Sequence, residues 1–278
     1  MNERVISKQE YDDFRKFLAN ATGIILGDSK QYLVSSRLNR LMEENKLANY
    51  AQLLKQVVNT TSSPLRTQVI DAMTTNETMW FRDVYPYEIL KTQLLPELNK
   101  IKNHPIRIWS AACSSGQEPY SISMIVQEFL ASNPGSFAGG IQIVGTDISS
   151  SMLRYCQGAR YDAAAMRRGI SEERIQRFFT KVGNEWEVNR DIRARVSFKP
   201  LNLQQNYSIL GKFDLIFCRN VLIYFSAEFK TDILTRMADV MHREGYLFLG
   251  SSETPTRYTP LYKMIRTPKG AIYRLDSA

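Results

Sequence analysis

Along roughly the first 75 positions the apolar residues recur at helical spacing. Tyr11, Phe14, Phe17 and Leu18 run up to Gly23; Val34, Leu38, Leu41 and Met42 follow; then Tyr50, Leu53, Leu54 and Val57; and after Pro64 come Leu65, Val69 and Met73. This pattern predicts a small helical bundle. From about residue 105 the texture changes to short apolar runs alternating with helical patterns. The runs are Ile106 to Ala111, Ile141 to Thr146, Val196 to Leu201, Phe213 to Cys218 and Tyr246 to Gly250. Such alternation predicts an α/β fold, a doubly wound and mostly parallel sheet with helices on both faces.

Two stretches break the alternation. Phe178 to Val182 and Glu185 to Val188 flank a Gly183-Asn184 turn, which predicts a small antiparallel β insertion at about 165–195. The tail YKMIRTPKGAIYRL reads as a hairpin turning at Pro268, Lys269 and Gly270, adding antiparallel structure at the sheet edge. The expected organisation is a helical N-terminal domain at 1–75, a connecting segment and helix at 76–104, and the sheet domain at 105–278.

Composition narrows the class. A hydrophobic content of 44% suffices for an ordinary core, and no run of about 18 uncharged apolar residues suggests a membrane span. The opening MNERVISKQEYDD has no apolar stretch of the kind a signal peptide needs, so a cytoplasmic protein is expected. Cys113, Cys156 and Cys218 are too scattered for a disulfide framework or a metal knuckle, and with only His104 and His242 no metal site is expected. The formal charge of +8 points to an acidic partner: nucleic acid, an anionic membrane surface or an acidic protein. Lys30, Arg37 and Arg40 fall on one exposed helix face, which reads as either a solvated stripe or a binding surface.

In an open α/β sheet the residues just beyond the strand ends meet the ligand. Here they are Ser114 to Tyr120, Asp147, Asn202 with Leu203, and Arg219 with Asn220. A dinucleotide turn uses three glycines to bring backbone against a pyrophosphate, whereas WSAACSSGQEPYS holds only Gly116 and sets Glu118 at the start of the next helix. A carboxylate there repels phosphate and attracts an ammonium or sulfonium. Asp147, at the end of the second strand, can accept from ribose hydroxyls or can cap the helix that follows. S-adenosylmethionine meets these requirements. Cys113 reads as a small buried residue at the turn rather than a nucleophile, because no histidine is near it in sequence, and Cys218, at the end of an apolar strand, reads as a core residue.

TTNETMWFRD (74–83), WSAACSSGQEPYS (109–121), GTDIS (145–149) and FDLIFCRNVLIYF (213–225) resemble, in order and spacing, the motifs of the chemotaxis receptor methyltransferases, the CheR family of protein-glutamate methylases. The resemblance runs from about residue 5 to 275. It implies a Rossmann-like methyltransferase domain with a helical N-terminal domain and an antiparallel subdomain. It further implies that Asn76, Thr78 and Arg82 touch the cofactor from the connecting segment. Glu118 would take the cofactor's α-amino group, Asp147 its ribose, Asn202 and Leu203 its adenine, and Arg219 and Asn220 the methionyl region. Arg82 and Tyr224 would flank the transferring methyl group. Taken alone, Tyr224 reads as a buried aromatic in the helix after the fourth strand, and Arg82 as an interdomain salt bridge.

The same resemblance makes the substrate a glutamate-bearing helix of a chemoreceptor cytoplasmic domain, met by Lys30, Arg37 and Arg40, and the product S-adenosylhomocysteine. A monomeric enzyme is expected, brought to membrane receptor arrays by protein contacts alone, with no nucleic-acid partner and room for a regulatory protein. One departure matters: family members tethered to a receptor pentapeptide have a longer glycine-containing turn in the inserted subdomain, and KVGNEWEV is abrupt, so pentapeptide-independent action is expected. The rivals are a nucleic-acid methyltransferase, an adaptor that binds S-adenosylmethionine without catalysis, and an NAD-dependent oxidoreductase. CRNVLIYF lacks the prolines of base-amino methylases, retained Arg82 and Tyr224 argue against an adaptor, and the single glycine with Glu118 argues against NAD.

Overall fold

A computed structural model describes residues 5–60, 62–101 and 104–276. The first four residues, part of the stretch read for a signal peptide, lie outside these. Four helices open the chain: α1 (Lys8–Thr22), α2 (Gln31–Glu44), α3 (Tyr50–Val58) and α4 (Pro64–Met73). Several helix boundaries have a local cause, Gly23 and Pro64 among them as expected from sequence. Ser7 and Glu10 form a capping box at the start of α1, and Gly23 ends it in the left-handed conformation at φ 78°. Asn49 caps α3, and Ser63 caps α4 with Pro64 in its first turn. The helices close over a core of Tyr11, Phe14, Leu18, Val34, Leu38, Leu53 and Val57.

A continuous helical rod then runs from α5 (Tyr85–Ile89) through a π-helical turn at Leu90–Leu94 into α6 (Leu95–Ile101). The sheet domain follows with β1 (Ile106–Ala111), α7 (Gln117–Ser132), β2 (Ile141–Asp147) and α8 (Ser150–Gly158). A small unit comes next: β3 (Arg160–Tyr161), α9 (Ala163–Met166), α10 (Glu172–Phe178), β4 (Phe179–Val182), β5 (Glu185–Val188) and α11 (Arg190–Arg193). The chain ends with β6 (Val196–Pro200), β7 (Phe213–Cys218), α12 (Ala227–Asp239), β8 (Met241–Leu249), β9 (Tyr262–Thr267) and β10 (Gly270–Leu275).

The main sheet has the order β6-β2-β1-β7-β8-β10-β9. The five strands from β6 to β8 are parallel, and the terminal hairpin joins β8 antiparallel through β10. Alternate side chains of the central strands feed two cores, Ile108, Leu215, Phe217 and Phe248 on one face and Trp109, Ile216 and Leu247 on the other. The strand order reverses between β1 and β7, so the crevice lies beyond their carboxyl ends.

The structure adds to the sequence reading in three places. β5 pairs with β4 as expected, and also with β3, a strand of two residues that no apolar run announces. β8 begins at Met241, earlier than its apolar run, because the polar His242, Arg243 and Glu244 continue the strand. Tyr224 lies on a 3-10 turn, Leu222–Tyr224, ahead of α12, and is half-buried rather than a core residue of the helix.

Candidate cofactor and methyl-transfer site

The loop after β1 turns with three left-handed residues, Ala112 (φ 54°), Ser114 (φ 51°) and Gly116 (φ 91°). The first two each carry a strain of about 1–2 kcal/mol that glycine would relieve. Only Gly116 is sterically compelled, since a Cβ there would lie 3.0 Å from both Cys156 Sγ and the Tyr161 hydroxyl. The loop is held by polar ties: the Ser114 amide donates to Asp147 Oδ2 (2.7 Å), and the Ser114 hydroxyl donates to the Asn76 carbonyl (2.9 Å). Those two bonds gather the end of β2, the loop and the connecting segment around one point.

Asp147 also accepts from the Ser149 amide at 2.8 Å. It does not cap the next helix, because the Ser149 side chain takes that role toward the Met152 amide. Burial pushes its carboxyl above the ordinary aspartate range, against the lowering effect of the Ser149, Ser114 and Ile148 amides. A carboxylate oxygen accepts more than one hydrogen bond, so capacity for ribose hydroxyls is left.

Glu118 and Arg219, read from the sequence as separate cofactor contacts, are partners. Arg219 Nη1 donates to Glu118 Oε2 (2.9 Å), and Ser110 Oγ donates to Glu118 Oε1 (2.8 Å). Arg219 Nη2 donates to Asp83 Oδ2 (2.7 Å) and to the Arg82 carbonyl (2.8 Å). The Arg219 side chain is 2% exposed, so it is a desolvated cation. Burial would lower its pKa, but the carboxylates of Glu118 and Asp83 outweigh that and raise it. One cation between two carboxylates leaves this end of the crevice with excess negative charge. Arg219 Nε and Asn220 Oδ1 are buried without a hydrogen-bond partner. A donor and an acceptor thus remain for a zwitterionic ligand.

A cavity of about 270 Å³ opens here between the helical bundle and the sheet. Asn76, Thr78, Arg82, Glu118, Asp147, Asn202, Leu203, Arg219, Asn220 and Tyr224 all line it. The Asn202 amide group donates to the Ala21 carbonyl at the end of α1 (2.8 Å), tying the loop after β6 to the bundle. Asn220 stands in the left-handed region at φ 58°, its amide donating to Glu253 Oε2 (2.7 Å). Arg82 donates to the Glu77 carbonyl at 3.2 Å and is half-buried.

The basic stripe is not one exposed face. Lys30 precedes α2 as its capping residue and borders the cavity with its side chain exposed. Arg37 borders it too, but its guanidinium donates to the Met73 and Thr74 carbonyls (2.9 and 3.1 Å), closing the end of α4. Arg40 lies outside the cavity, 89% exposed and paired with Glu44 one turn on.

Sequence reasoning missed Asp83, Ser110 and the segment Ile24 to Gly27, which forms part of the cavity wall. The signal for that segment was present: Ile24, Ile25 and Leu26 are consecutive apolar residues between Gly23 and Gly27, and a loop so apolar needs something to cover. The Ile25 amide donates to the Tyr224 carbonyl at 2.9 Å, which joins the two walls directly. Nothing in sequence signals the Arg219–Asp83 contact, which spans 136 positions.

Comparison with known proteins places the chain in a family. Residues 9–74 match the family "CheR methyltransferase, all-alpha domain", and residues 76–271 match "CheR methyltransferase, SAM binding domain". The chain is 52% identical over 267 residues to chemotaxis protein methyltransferase 1 of Pseudomonas aeruginosa, covering 95% of this chain and 97% of that one. It is 51% identical over 269 residues to the chemotaxis protein methyltransferase Cher2 of Pseudomonas putida, with the same coverage. It is 49% identical over 276 residues to the chemotaxis protein methyltransferase of Vibrio parahaemolyticus, covering 99% and 100%. The chain belongs to the CheR methyltransferase family, its residues 9–74 matching the all-alpha domain and its residues 76–271 the S-adenosylmethionine-binding domain.

Proposed function

We propose that this protein methylates glutamate side chains on chemoreceptor cytoplasmic helices, giving glutamyl methyl esters and S-adenosylhomocysteine in chemotactic adaptation. The observation that carries this reading is the character of the cavity. Its floor holds the buried acids Glu118 and Asp147, its other wall brings Lys30 and Arg82, and no histidine is among its described lining residues. The bound cofactor supplies an electrophilic methyl on a sulfonium. A glutamate nucleophile is already ionised at neutral pH and needs no general base, which suits a site of this composition.

The protein's part is then to align and to dry. Glu118 would hold the cofactor's ammonium while Arg219 stays fixed between Glu118 and Asp83. Asp147 would take the ribose hydroxyls, and Asn202 and Leu203 would flank the adenine. Arg82 would steer the incoming carboxylate, and Tyr224 would pack beside the methyl donor. Closing water out around the carboxylate strengthens its attack on the cationic centre. Lys30 and Arg40 would meet the acidic receptor helix. Arg37, already occupied by two carbonyls, would act there chiefly by fixing the bundle.

The reading includes a cytoplasmic, monomeric enzyme that reaches receptors by protein contact and is open to a regulatory partner. No helix among the described residues is long and apolar enough to cross a membrane. The two-residue Gly183-Asn184 turn between β4 and β5 supports action independent of a receptor pentapeptide, and micromolar binding of such a peptide would overturn that part. The main test is incubation with methyl-labelled S-adenosylmethionine and receptor cytoplasmic domains. Base-labile methyl esters on receptor glutamates are expected; label in nucleic acid, or none on receptor, would sink the reading.

A further inference from the structure

The chain contains two histidines, and the fold brings them together. His104 and His242 stand with ring centroids 5.2 Å apart, at an interplanar angle of 38°. Asp214 completes the group: one ligand-type atom from each of the three residues lies within 4.8 Å of the others. We propose that His104, Asp214 and His242 form a binding site for a divalent transition-metal ion, with zinc the ion its two imidazoles and carboxylate best suit.

The frame is rigid. Asp214 belongs to β7 and His242 to β8, neighbouring parallel strands, while His104 lies just ahead of β1, the strand on the other side of β7. The register between β7 and β8 shifts between Phe213 and Leu215, at Asp214 itself, and an irregularity of this kind re-aims a side chain. Asp214 is 1% exposed, whereas both histidines are half-buried, so an ion would sit at the surface against a buried carboxylate.

The surroundings orient the ligands as metal sites do. The Arg107 amide donates to Asp214 Oδ2 at 3.0 Å, fixing the carboxylate. The Pro105 carbonyl lies 3.0 Å from His104 Nδ1; a proton there leaves the lone pair on Nε2. The Arg107 guanidinium is turned to the Leu210 and Lys212 carbonyls and stacked over Phe213. Zinc bonds of about 2.0–2.2 Å require the three atoms to draw in by roughly an ångström, which half-exposed imidazoles can do by rotation. Water would complete a tetrahedral shell.

This expectation reverses one drawn from sequence. Only two histidines and three scattered cysteines argued against zinc, and a carboxylate ligand from a strand interior carries no spacing signal of its own. The site sits at the amino ends of the strands, whereas Arg219 follows the carboxyl end of β7. At about 3.3 Å per residue the two ends are roughly 16 Å apart. The ion would pin three strand starts and take no part in methyl transfer.

The test uses the whole protein with zinc chloride alone, and then with cobalt(II) as a spectroscopic substitute. Calorimetry is expected to show about one zinc per chain at micromolar affinity, weakened at least tenfold in both His104→Gln and His242→Gln. Zinc should raise the melting temperature by a few degrees in the parent and not in these variants, with cofactor affinity unchanged in all three. The cobalt form should show tetrahedral ligand-field bands without thiolate charge transfer. Unweakened zinc binding in either variant, a thiolate band pointing to the cysteines, or no binding at micromolar zinc would each overturn the proposal.

Discussion

Glu118 holds Arg219 and, in the proposed function, also the cofactor's ammonium, and substitution should reveal both. In Glu118→Gln the Arg219 guanidinium loses a charged partner in a buried site, so unfolding free energy should fall by about 1–3 kcal/mol. S-adenosylmethionine affinity should fall at least tenfold in calorimetry, since a charge-assisted contact to the ammonium is worth at least about 1.4 kcal/mol. Arg82 contrasts with it, being half-buried with a single long bond to the Glu77 carbonyl. Arg82→Ala should leave circular dichroism and melting unchanged while turnover falls about 100-fold, the scale of a misaligned nucleophile; near-normal turnover would remove Arg82 from the mechanism. Asp147 adds a pH dependence. Its raised pKa means that it protonates, on acidification, at a higher pH than an ordinary aspartate, and cofactor affinity should decline there. The contribution to stability has the opposite sign: the cost of the buried charge is full at neutral pH and lifts as pH falls from the raised pKa toward the ordinary one. Affinity measured against pH for the parent and Asp147→Asn checks this, the variant lacking the acid limb. Glu118 and Asp147 were legible because each stands at a strand end or helix start; the Glu118–Arg219 pair was not, because its members are 101 positions apart.

At the scale of elements, most of the fold was written in local pattern. Phe213 to Cys218 is a strand with the bounds its apolar run predicts, Gly23 ends α1 where the pattern stops, and α4 begins at Pro64. What stayed hidden were elements with no pattern of their own: two-residue β3, the π turn in the rod, and the polar start of β8. These are fixed by pairing partners, and tertiary contacts override weak local preference. The loop after β1 is the instructive case. A single glycine marked the loop as unsuited to a pyrophosphate, yet Ala112 and Ser114 also take left-handed backbone, held by the Ser114 bonds to Asp147 and Asn76. Gly116→Ala should therefore cost about 1–3 kcal/mol in denaturant unfolding, because positive φ and the contacts with Cys156 and Tyr161 both penalise a Cβ.

For the whole molecule, the bundle and the sheet are joined by polar contacts at the crevice. Asp71 on α4 accepts from the Ser150 and Ser151 amides at the start of α8, both at 3.1 Å, Asn202 reaches the end of α1, and Ile25 bonds to Tyr224. The bundle helices and the sheet could each be read from periodicity. Their relative placement could not, because single bonds between distant residues decide it. Arg219 adds a consequence in time. Its partners come from the connecting segment and from α7, 136 and 101 positions away, and contacts that close such long loops form late. A chain refolding from denaturant should recover helical circular dichroism before it recovers S-adenosylmethionine binding, in a stopped-flow comparison of the two signals. The unfinished enzyme is then silent toward its methyl donor, and a partly folded copy in the cell holds none of the cofactor pool.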